Sequence, residues 1–196
     1  SFQTMNPSLS SAPAALNDSI RDLLDEADKK GAAGSLELHG YMENAGYKDV
    51  REAIAANLNK RFGTAFDDHN IVMTDGAAGG LNIIFKTVLD PGDEVIVFAP
   101  FFGEYRQYAA NFDSEIVTVN PDLETFLPDL NDFEAKITEK TKALIVNTPN
   151  NPTGVIYKPE TMEAIASILE KKQKEFGHDI YLVSDEPYRE LEIGRA

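Results

Sequence analysis

The amino-terminal third of the chain carries apolar residues at helical spacing. Between Pro13 and Gly31 they recur every three or four residues, at Leu16, Ile20, Leu23, Leu24 and Ala27. Between residues 48 and 62 they recur every four, at Val50, Ile54, Leu58 and Phe62. Such spacing places the apolar side chains on one helical face. It predicts two amphipathic helices, the first opened by Pro13 and ended by Gly31 and Gly34, the second ended by Gly63.

From residue 71 onward, short apolar runs alternate with stretches of helical spacing. The runs predict strands at 71–73, 94–98, 115–119, 143–146 and 180–183. The helical stretches between them are 81–88, 105–112, 129–137 and 159–176. Repeated strand–helix units of this length connect by right-handed crossovers into a mostly parallel sheet with helices on both faces. The sequence therefore predicts the α/β class, with a three-layer α/β/α arrangement.

Composition and charge exclude several classes of partner. The 196 residues are 42% hydrophobic and 26% charged, which is ordinary for a globular protein of one or two domains. Lys+Arg 18 against Asp+Glu 33 gives a net charge of −15, which argues against nucleic acid or an anionic membrane as partner. There is no cysteine and no apolar run of membrane-spanning length. We expect a soluble cytoplasmic protein, and a small anionic ligand remains compatible with this charge because backbone N–H groups can bind one.

The first candidate for chemistry is the turn at residues 74–80, Thr-Asp-Gly-Ala-Ala-Gly-Gly, which leads into a predicted helix. Small residues let a ligand approach the backbone, and the free N–H groups at a helix N-terminus favour an anion such as phosphate. The glycine spacing matches neither the Walker A loop nor the dinucleotide fingerprint. Simple close packing of helix and strand explains a turn of this composition equally well.

The second candidate follows the apolar run 143–146 and reads Asn-Thr-Pro-Asn-Asn-Pro-Thr-Gly from Asn147 to Gly154. Its prolines and glycine force the backbone to turn at the carboxyl end of a buried strand. Ligands of open parallel α/β sheets bind at that end. A single Asn-Pro pair indicates only a turn, but the complete string after a buried strand favours a binding site with side-chain amides as its donors.

The third candidate is Asp185, which follows the apolar run 180–183 and precedes Tyr188 by three residues. A carboxylate at the end of a buried strand needs a cationic or strongly donating partner. The strand offers no adjacent Lys or Arg, so the protonated nitrogen of a ligand fits this role, with Tyr188 as a second contact. A turn or N-cap aspartate is the other interpretation. A phosphate cradle, an acid for a ring nitrogen and amide or phenol donors for a ring oxygen together match pyridoxal 5′-phosphate.

At these residues the sequence resembles the class I/II, fold-type-I aminotransferases, which include aspartate aminotransferase. The resemblance spans nearly the whole chain, and its short motifs occur in the order typical of the family. They are Tyr41-x4-Gly46, Asp49-Val50-Arg51-Glu52-Ala53-Ile54, Gly76-Ala77-Ala78, Pro91-Gly92-Asp93-Glu94-Val95, Pro100-Phe101-Phe102-x-x-Tyr105, Asn151-Pro152-Thr153-Gly154 and Ser184-Asp185-Glu186-Pro187-Tyr188.

The resemblance implies a role for each matching position. Asp185 would pair with the ring nitrogen of pyridoxal phosphate and keep it protonated, so that the ring accepts electrons when the substrate Cα–H bond breaks. Asp185 and Tyr188 are therefore the expected catalytic residues, and Asn151 contacts cofactor and substrate. The expected cofactor contacts are backbone N–H groups of Ala77 and Ala78 to the phosphate, Phe102 stacked on the ring, Asn151 and Tyr188 on the ring oxygen, and Tyr41 on the phosphate of a partner subunit's cofactor.

The same resemblance implies a domain division, partners and a reaction. Residues 1–46 would form an amino-terminal arm and part of a small domain, and residues 47–196 the first half of a large cofactor-binding domain. The substrates would be an amino acid and a 2-oxo acid in amino acid metabolism, and the protein a homodimer with shared sites.

Two positions depart from the family pattern. Met5, before Asn6-Pro7, stands where the family usually has a glycine near the substrate. No lysine follows Asp185, the last being Lys174, whereas the Schiff-base lysine of the family lies beyond the equivalent aspartate. The arginine that binds the substrate carboxylate also belongs to that later part. We therefore expect these residues to be the amino-terminal half of such an enzyme, inactive alone.

Other readings remain open. A carbon–sulfur lyase or decarboxylase of the same fold type would share these cofactor motifs, and so would a non-catalytic, dimerising cofactor-binding fragment. The remaining polar groups indicate no further site. His39, His69 and His178 lack metal-ligand spacing, so no metal site is predicted, and Arg106, Arg189 and Arg195 are expected to form surface salt bridges.

Overall fold

The computed structural model describes residues 14–31 and 40–189. The chain forms two compact units, residues 1–72 and 73–196. Several positions considered above lie outside the described residues: the segment 1–11 with Met5, Pro13, Gly34, His39 and Arg195.

The first unit contains both predicted amphipathic helices, α1 (Ala14–Lys30) and α2 (Lys48–Phe62), and a 3-10 turn at Asp68–Asn70. Each helix ends at a glycine with positive φ, Gly31 at 65° and Gly63 at 67°. Only glycine adopts this left-handed conformation without strain, which explains why both helices stop there. The predicted helices and the stop at Gly63 are confirmed.

A buried arginine joins the segments of the first unit. The guanidinium of Arg51 donates to the carbonyl of Gly46 at 3.0 Å and to that of Asp68 at 2.7 Å. It also pairs with the Glu43 carboxylate at 2.7 Å. Only 5% of Arg51 is exposed, so these acceptors replace the water that a buried charge loses. One side chain thereby fixes the loop before α2 against the 3-10 turn after it.

The strand predicted at residues 71–73 is wrong. Among the described residues this segment is irregular and pairs with no strand, and Val72 and Met73 are 58% and 42% exposed. Three apolar residues form too few backbone hydrogen bonds to hold an extended conformation unless a neighbouring strand accepts them.

The second unit alternates helices and strands as predicted. Its elements are α3 (Gly76–Val88), β1 (Glu94–Phe98), α4 (Tyr105–Ala110), β2 (Glu115–Val119), α5 (Leu130–Lys136), β3 (Thr141–Asn147), α6 (Pro159–Phe176) and β4 (Tyr181–Asp185). The differences from the predicted bounds are confined to element ends, where helices and strands are least sharply defined.

The four strands form one parallel sheet in the order β2-β1-β3-β4. The chain leaves β1 toward one side to form β2 and then crosses to the other side to form β3. This reversal opens a crevice at the carboxyl ends of β1 and β3, which is where open α/β sheets bind ligands. Register places Asn147, the last residue of β3, directly beside Asp185, the last residue of β4.

Helices cover both faces of the sheet, which confirms the three-layer α/β/α prediction. Alternate residues of β1 point to opposite faces. Ile96 and Phe98 pack in one apolar core with Phe133 of α5 and with Ile165 and Leu169 of α6. On the other face, Val95 and Val97 pack against α3 and α4 in a second core, through Leu81, Phe85, Tyr105 and Ala109. Within the described part of the chain, no helix is both long and apolar enough to cross a membrane.

Candidate functional site

The carboxyl ends of β3 and β4, the start of α3 and the loop before α4 surround one cleft of the second unit. The cleft contains five of the predicted site residues and three further ones. Its lining is Ala77, Phe102, Tyr105, Asn147, Asn151, Asp185, Pro187 and Tyr188. The motifs after β3 and β4 meet because parallel strands end at the same edge of the sheet, and the turn at residues 74–80 reaches the same cleft as the start of α3.

The start of α3 exposes backbone donors at the cleft. Ala77, which lines the cleft, and Ala78 are both exposed in the first turn, where helical N–H groups have no partner within the helix. Asp75 precedes the helix and its side chain makes no capping hydrogen bond. The arrangement favours an anion, because the N–H groups and the helix dipole both point toward it.

Close packing also accounts for part of this turn. A Cβ placed on Gly80 would lie 3.3 Å from Oγ1 of Thr74, which itself donates to the carbonyl of Gly76 at 2.9 Å. A side chain at position 80 would therefore crowd a hydroxyl that already donates a hydrogen bond within the turn. Gly76 adopts a φ of 71°, which glycine tolerates best. The turn therefore supports both interpretations drawn from the sequence. Ala77 and Ala78 offer N–H groups to an anion, and Gly80 allows close packing against Thr74.

Asn147 is a residue of the cleft for which the sequence predicted no role. It is 6% exposed, and its Oδ1 accepts from the backbone N–H of Asn151 at 2.7 Å. Its Nδ2 donates to the backbone carbonyl of Asp185 at 2.8 Å. The signal was present in the sequence, since an amide at the end of a uniformly apolar strand must find hydrogen-bond partners when buried. The side chain fixes the loop after β3 to the end of β4.

Asn151 and Tyr188 come together across the cleft. The Nδ2 of Asn151 donates to the Tyr188 hydroxyl at 3.2 Å, and both side chains are half-buried. Asn150, by contrast, serves the turn itself, because its Oδ1 accepts from the backbone and hydroxyl of Thr153 at 3.2 and 2.8 Å. The loop therefore contains one asparagine that shapes the turn and one that presents an amide to the cleft.

Asp185 is half-buried, and its side-chain partner is a tyrosine. The hydroxyl of Tyr105 donates to Asp185 Oδ2 at 2.5 Å. Among the described residues, no donor lies on Oδ1, and no Lys or Arg lines the cleft. The carboxylate caps none of the described helices. One of its oxygens is thus directed to a protein donor, and the other is available to a donor that enters the cleft.

Tyr105 is the second residue whose role the sequence did not predict, although its position appears in the aromatic motif after β1. Its side chain is 1% exposed. Burial raises the pKa of the Tyr105 phenol far above its ordinary value, and the hydrogen bond to the Asp185 carboxylate raises it further. The phenol is therefore the protonated partner, and the donor, in its contact with Asp185 at neutral pH.

Phe102 lines the cleft and packs its ring edge against Tyr105, with centroids 5.7 Å apart and planes at 78°. It is half-buried, so part of the ring faces the cleft. A planar aromatic ligand beside Asp185 can pack on such a surface, because offset and edge contacts between rings are favourable.

The remaining predicted positions lie elsewhere. Tyr41 belongs to the first unit and is fully exposed, with a relative accessibility of 109%. Arg189 forms the expected surface salt bridge, with Glu186 at 3.1 Å. The surface salt bridge expected for Arg106 is absent from the described contacts, since its guanidinium instead stacks over the ring of Phe101 at 5.0 Å.

Comparison with known proteins places the sequence in a family. The sequence model of the family described as "Aminotransferase class I and II" matches residues 11–196. The aspartate/prephenate aminotransferase of Thermus thermophilus is 39% identical over 154 residues, which are 77% of this chain and 38% of that protein. The aspartate aminotransferase of Pyrococcus horikoshii is 36% identical over 149 residues, or 76% of this chain and 37% of that protein.

Solved structures give the same result. An amino transferase from Eubacterium rectale superimposes with a TM-score of 0.85 at 39% identity, covering 94% of this chain and 45% of that one. The Thermus thermophilus aspartate aminotransferase with maleate superimposes with a TM-score of 0.69 at 35% identity, covering 84% of this chain and 41% of that one. The chain spans about two fifths of the length of the curated relatives it matches.

Proposed function

The chain belongs to the class I and II aminotransferases, and we propose that its cleft is the pyridoxal phosphate site of an enzyme that moves an amino group between an amino acid and a 2-oxo acid. This chain covers about two fifths of the length of its curated relatives, so the activity is proposed for a protein of their full length. The observation that carries it is the half-buried Asp185 carboxylate, which lines a cleft that no described Lys or Arg lines and whose Oδ1 receives no donor from the described residues.

The cleft residues fit this cofactor by their chemistry. Pyridoxal phosphate is a dianionic phosphate attached to a flat ring with a basic nitrogen and a phenolic oxygen. The first turn of α3 at Ala77 and Ala78 offers N–H groups without a charged side chain, which suits the phosphate. The Asp185 carboxylate suits a protonated nitrogen, and the Asn151 amide and Tyr188 hydroxyl suit the ring oxygen.

Each side chain has a defined task in the proposed reaction. Bound pyridoxal phosphate supplies an electron-accepting ring that stabilises the charge left on the substrate Cα. Asp185 holds a proton on the ring nitrogen, because its negative charge favours the protonated form. Asn151 and Tyr188 orient the ring oxygen, and Phe102 covers one face of the ring and excludes water from it. Among the described residues, Asn151 is also the proposed contact to the substrate.

We propose further that the protein works as a homodimer in the cytoplasm, with Tyr41 reaching the cofactor phosphate of the partner subunit. The support is the complete exposure of the Tyr41 side chain, which makes it available for such a contact.

The half-reaction of the full-length protein tests the function. On addition of an amino acid, we expect the cofactor absorbance to change to that of the pyridoxamine form with release of the 2-oxo acid. Asp185→Ala should lower the rate by at least about a hundredfold, the range typical for loss of one electrostatic contact to the reacting group. Asp179→Ala, at an exposed aspartate just before β4, is the matched control and should leave the rate unchanged.

Other outcomes identify the competing functions. Release of ammonia or CO₂ without the pyridoxamine form would assign a lyase or a decarboxylase. Cofactor binding without turnover of any amino acid would assign a non-catalytic protein. Full activity of Asp185→Ala would contradict the role of Asp185.

A further inference from the structure

We propose that Tyr105 is the positioning residue of the cleft, which holds the Asp185 carboxylate by Oδ2 so that Oδ1 faces the ring nitrogen of the bound cofactor. The inference deepens the proposed function and rests on it. It assigns a task to a buried hydroxyl that would otherwise only fill the core.

The position of the Tyr105 hydroxyl is fixed by the aromatic side chains around it. Its ring stacks on Phe101 with centroids 6.4 Å apart and planes at 7°, and it meets Phe102 edge-on at 5.7 Å. The ring of Tyr108 lies 6.5 Å away on the same helix. The side chain is also only 1% exposed. Its close packing therefore disfavours other rotamers, and its hydroxyl is shielded from water.

Asp185 needs such a support. It is the last residue of β4, and the pairing of its backbone with β3 does not by itself fix the rotation of its side chain. Two contacts fix Asp185, one at its backbone and one at its side chain. Asn147 holds the backbone carbonyl at 2.8 Å, and Tyr105 holds the side chain at Oδ2. The contact from Tyr105 is the one that sets the direction of the carboxylate plane and therefore of Oδ1.

The same phenol also sets the position of Phe102. Tyr105 contacts both the ring that would cover the cofactor and the carboxylate that would face its nitrogen, because its ring packs against Phe102 and its hydroxyl donates to Asp185. One rigid residue thus fixes the relative placement of two ligand contacts that are 83 positions apart in the chain, from Phe102 to Asp185. Preorganised contacts of this kind raise affinity because the ligand does not have to order them.

The first experiment needs no cofactor. In protein labelled with ¹³C at the aspartate carboxyl carbon, the infrared difference between wild type and Asp185→Asn identifies the carboxylate bands of Asp185. Tyr105→Phe keeps the ring and removes only the donor, so these bands should shift. Replacement of Tyr105 by 3-fluorotyrosine, whose phenol is a stronger donor, should shift them in the opposite direction and gives a second variant if Tyr105→Phe folds poorly.

The second experiment measures cofactor affinity in the full-length protein. Pyridoxal phosphate titrated into Tyr105→Phe should bind about tenfold more weakly than into wild type, the effect of losing one hydrogen bond. Tyr108→Phe is the matched control, because it removes a hydroxyl from the same helix that donates to Glu104 at 2.8 Å instead. It should change neither the Asp185 bands nor the affinity.

The outcomes separate the two proposals. Asp185 bands that are identical in wild type and Tyr105→Phe would overturn the inference, and so would equal affinity of the two proteins for the cofactor. Failure of wild type to bind pyridoxal phosphate would overturn the proposed function and the inference with it. Shifted bands together with weakened binding, both absent in Tyr108→Phe, would establish Tyr105 as a positioning residue.

Discussion

Asn147 connects the two sides of the cleft through both ends of one amide. Its oxygen accepts from the N–H of Asn151, and its nitrogen donates to the carbonyl of Asp185, so each neighbouring segment depends on it for a part-buried backbone group. A buried polar group without a partner costs more than a hydrogen bond contributes. The residue therefore acts on stability and on the shape of the cleft together.

Asn147→Ala should lower the free energy of unfolding by about 2 kcal/mol, because it leaves two part-buried backbone groups without their partners. Asn111→Ala is the matched control, since the Asn111 amide donates to Asn82 at an exposed position, and it should change stability by less than about 0.5 kcal/mol. Urea unfolding of the three proteins measures both values. Equal losses for the two variants would show that the amide of Asn147 stabilises no more than a surface contact.

At the scale of elements, a charged pair attaches α5 to β2 and the chain that follows it. Asp132 Oδ2 accepts from the backbone N–H of Asn120 and from Lys136 Nζ, each at 2.7 Å. Lys136 Nζ also donates to the carbonyl of Thr118 at 2.7 Å. The hydrogen bond from Lys136, with the further one from Asn120, holds the pKa of the Asp132 carboxyl below its usual range.

A lowered carboxyl pKa in the folded protein stabilises it above the ordinary aspartate pKa of about 3.9, and this contribution is lost as the pH falls through the folded value. Asp132→Asn should therefore reduce stability by about 1 kcal/mol at pH 7 and by nothing at a pH below the folded value. Unfolding curves between pH 7 and pH 2 check this, with Asp179→Asn as the exposed control. A loss for Asp132→Asn that is the same at every pH would contradict the electrostatic origin.

For the molecule as a whole, the features predicted from the sequence are those that depend on local hydrophobic patterns, namely most of the strands and the place of the cleft. Apolar runs such as 94–98 and 143–146 are buried on both faces of a parallel sheet, so their uniform hydrophobicity identified them. The ends of these strands identified the cleft, because topology brings the carboxyl ends of parallel strands together. The strand prediction for residues 71–73 failed because three residues need a partner strand to stay extended. The apolar pattern of these residues does not reveal whether such a partner is present.

The side-chain contacts inside the cleft could not be predicted from hydrophobic patterns or strand ends. Tyr105 and Asp185 are separated by 80 positions, and the direction of a phenol depends on the packing of Phe101 and Phe102 around it. Periodicity places Tyr105 on the buried face of α4 but does not say what its hydroxyl meets. The requirement that a buried donor must have an acceptor was available from the sequence, but the identity of the acceptor was not.

In the proposed enzyme, Asp185 holds a proton on the ring nitrogen of bound pyridoxal phosphate. The most direct measurement is the ¹⁵N chemical shift of that nitrogen in ¹⁵N-labelled cofactor bound to the full-length protein at pH 8. We expect the shift of a protonated pyridine in wild type and that of an unprotonated pyridine in Asp185→Asn. A bound cofactor whose ring nitrogen is unprotonated in wild type would contradict this role of Asp185.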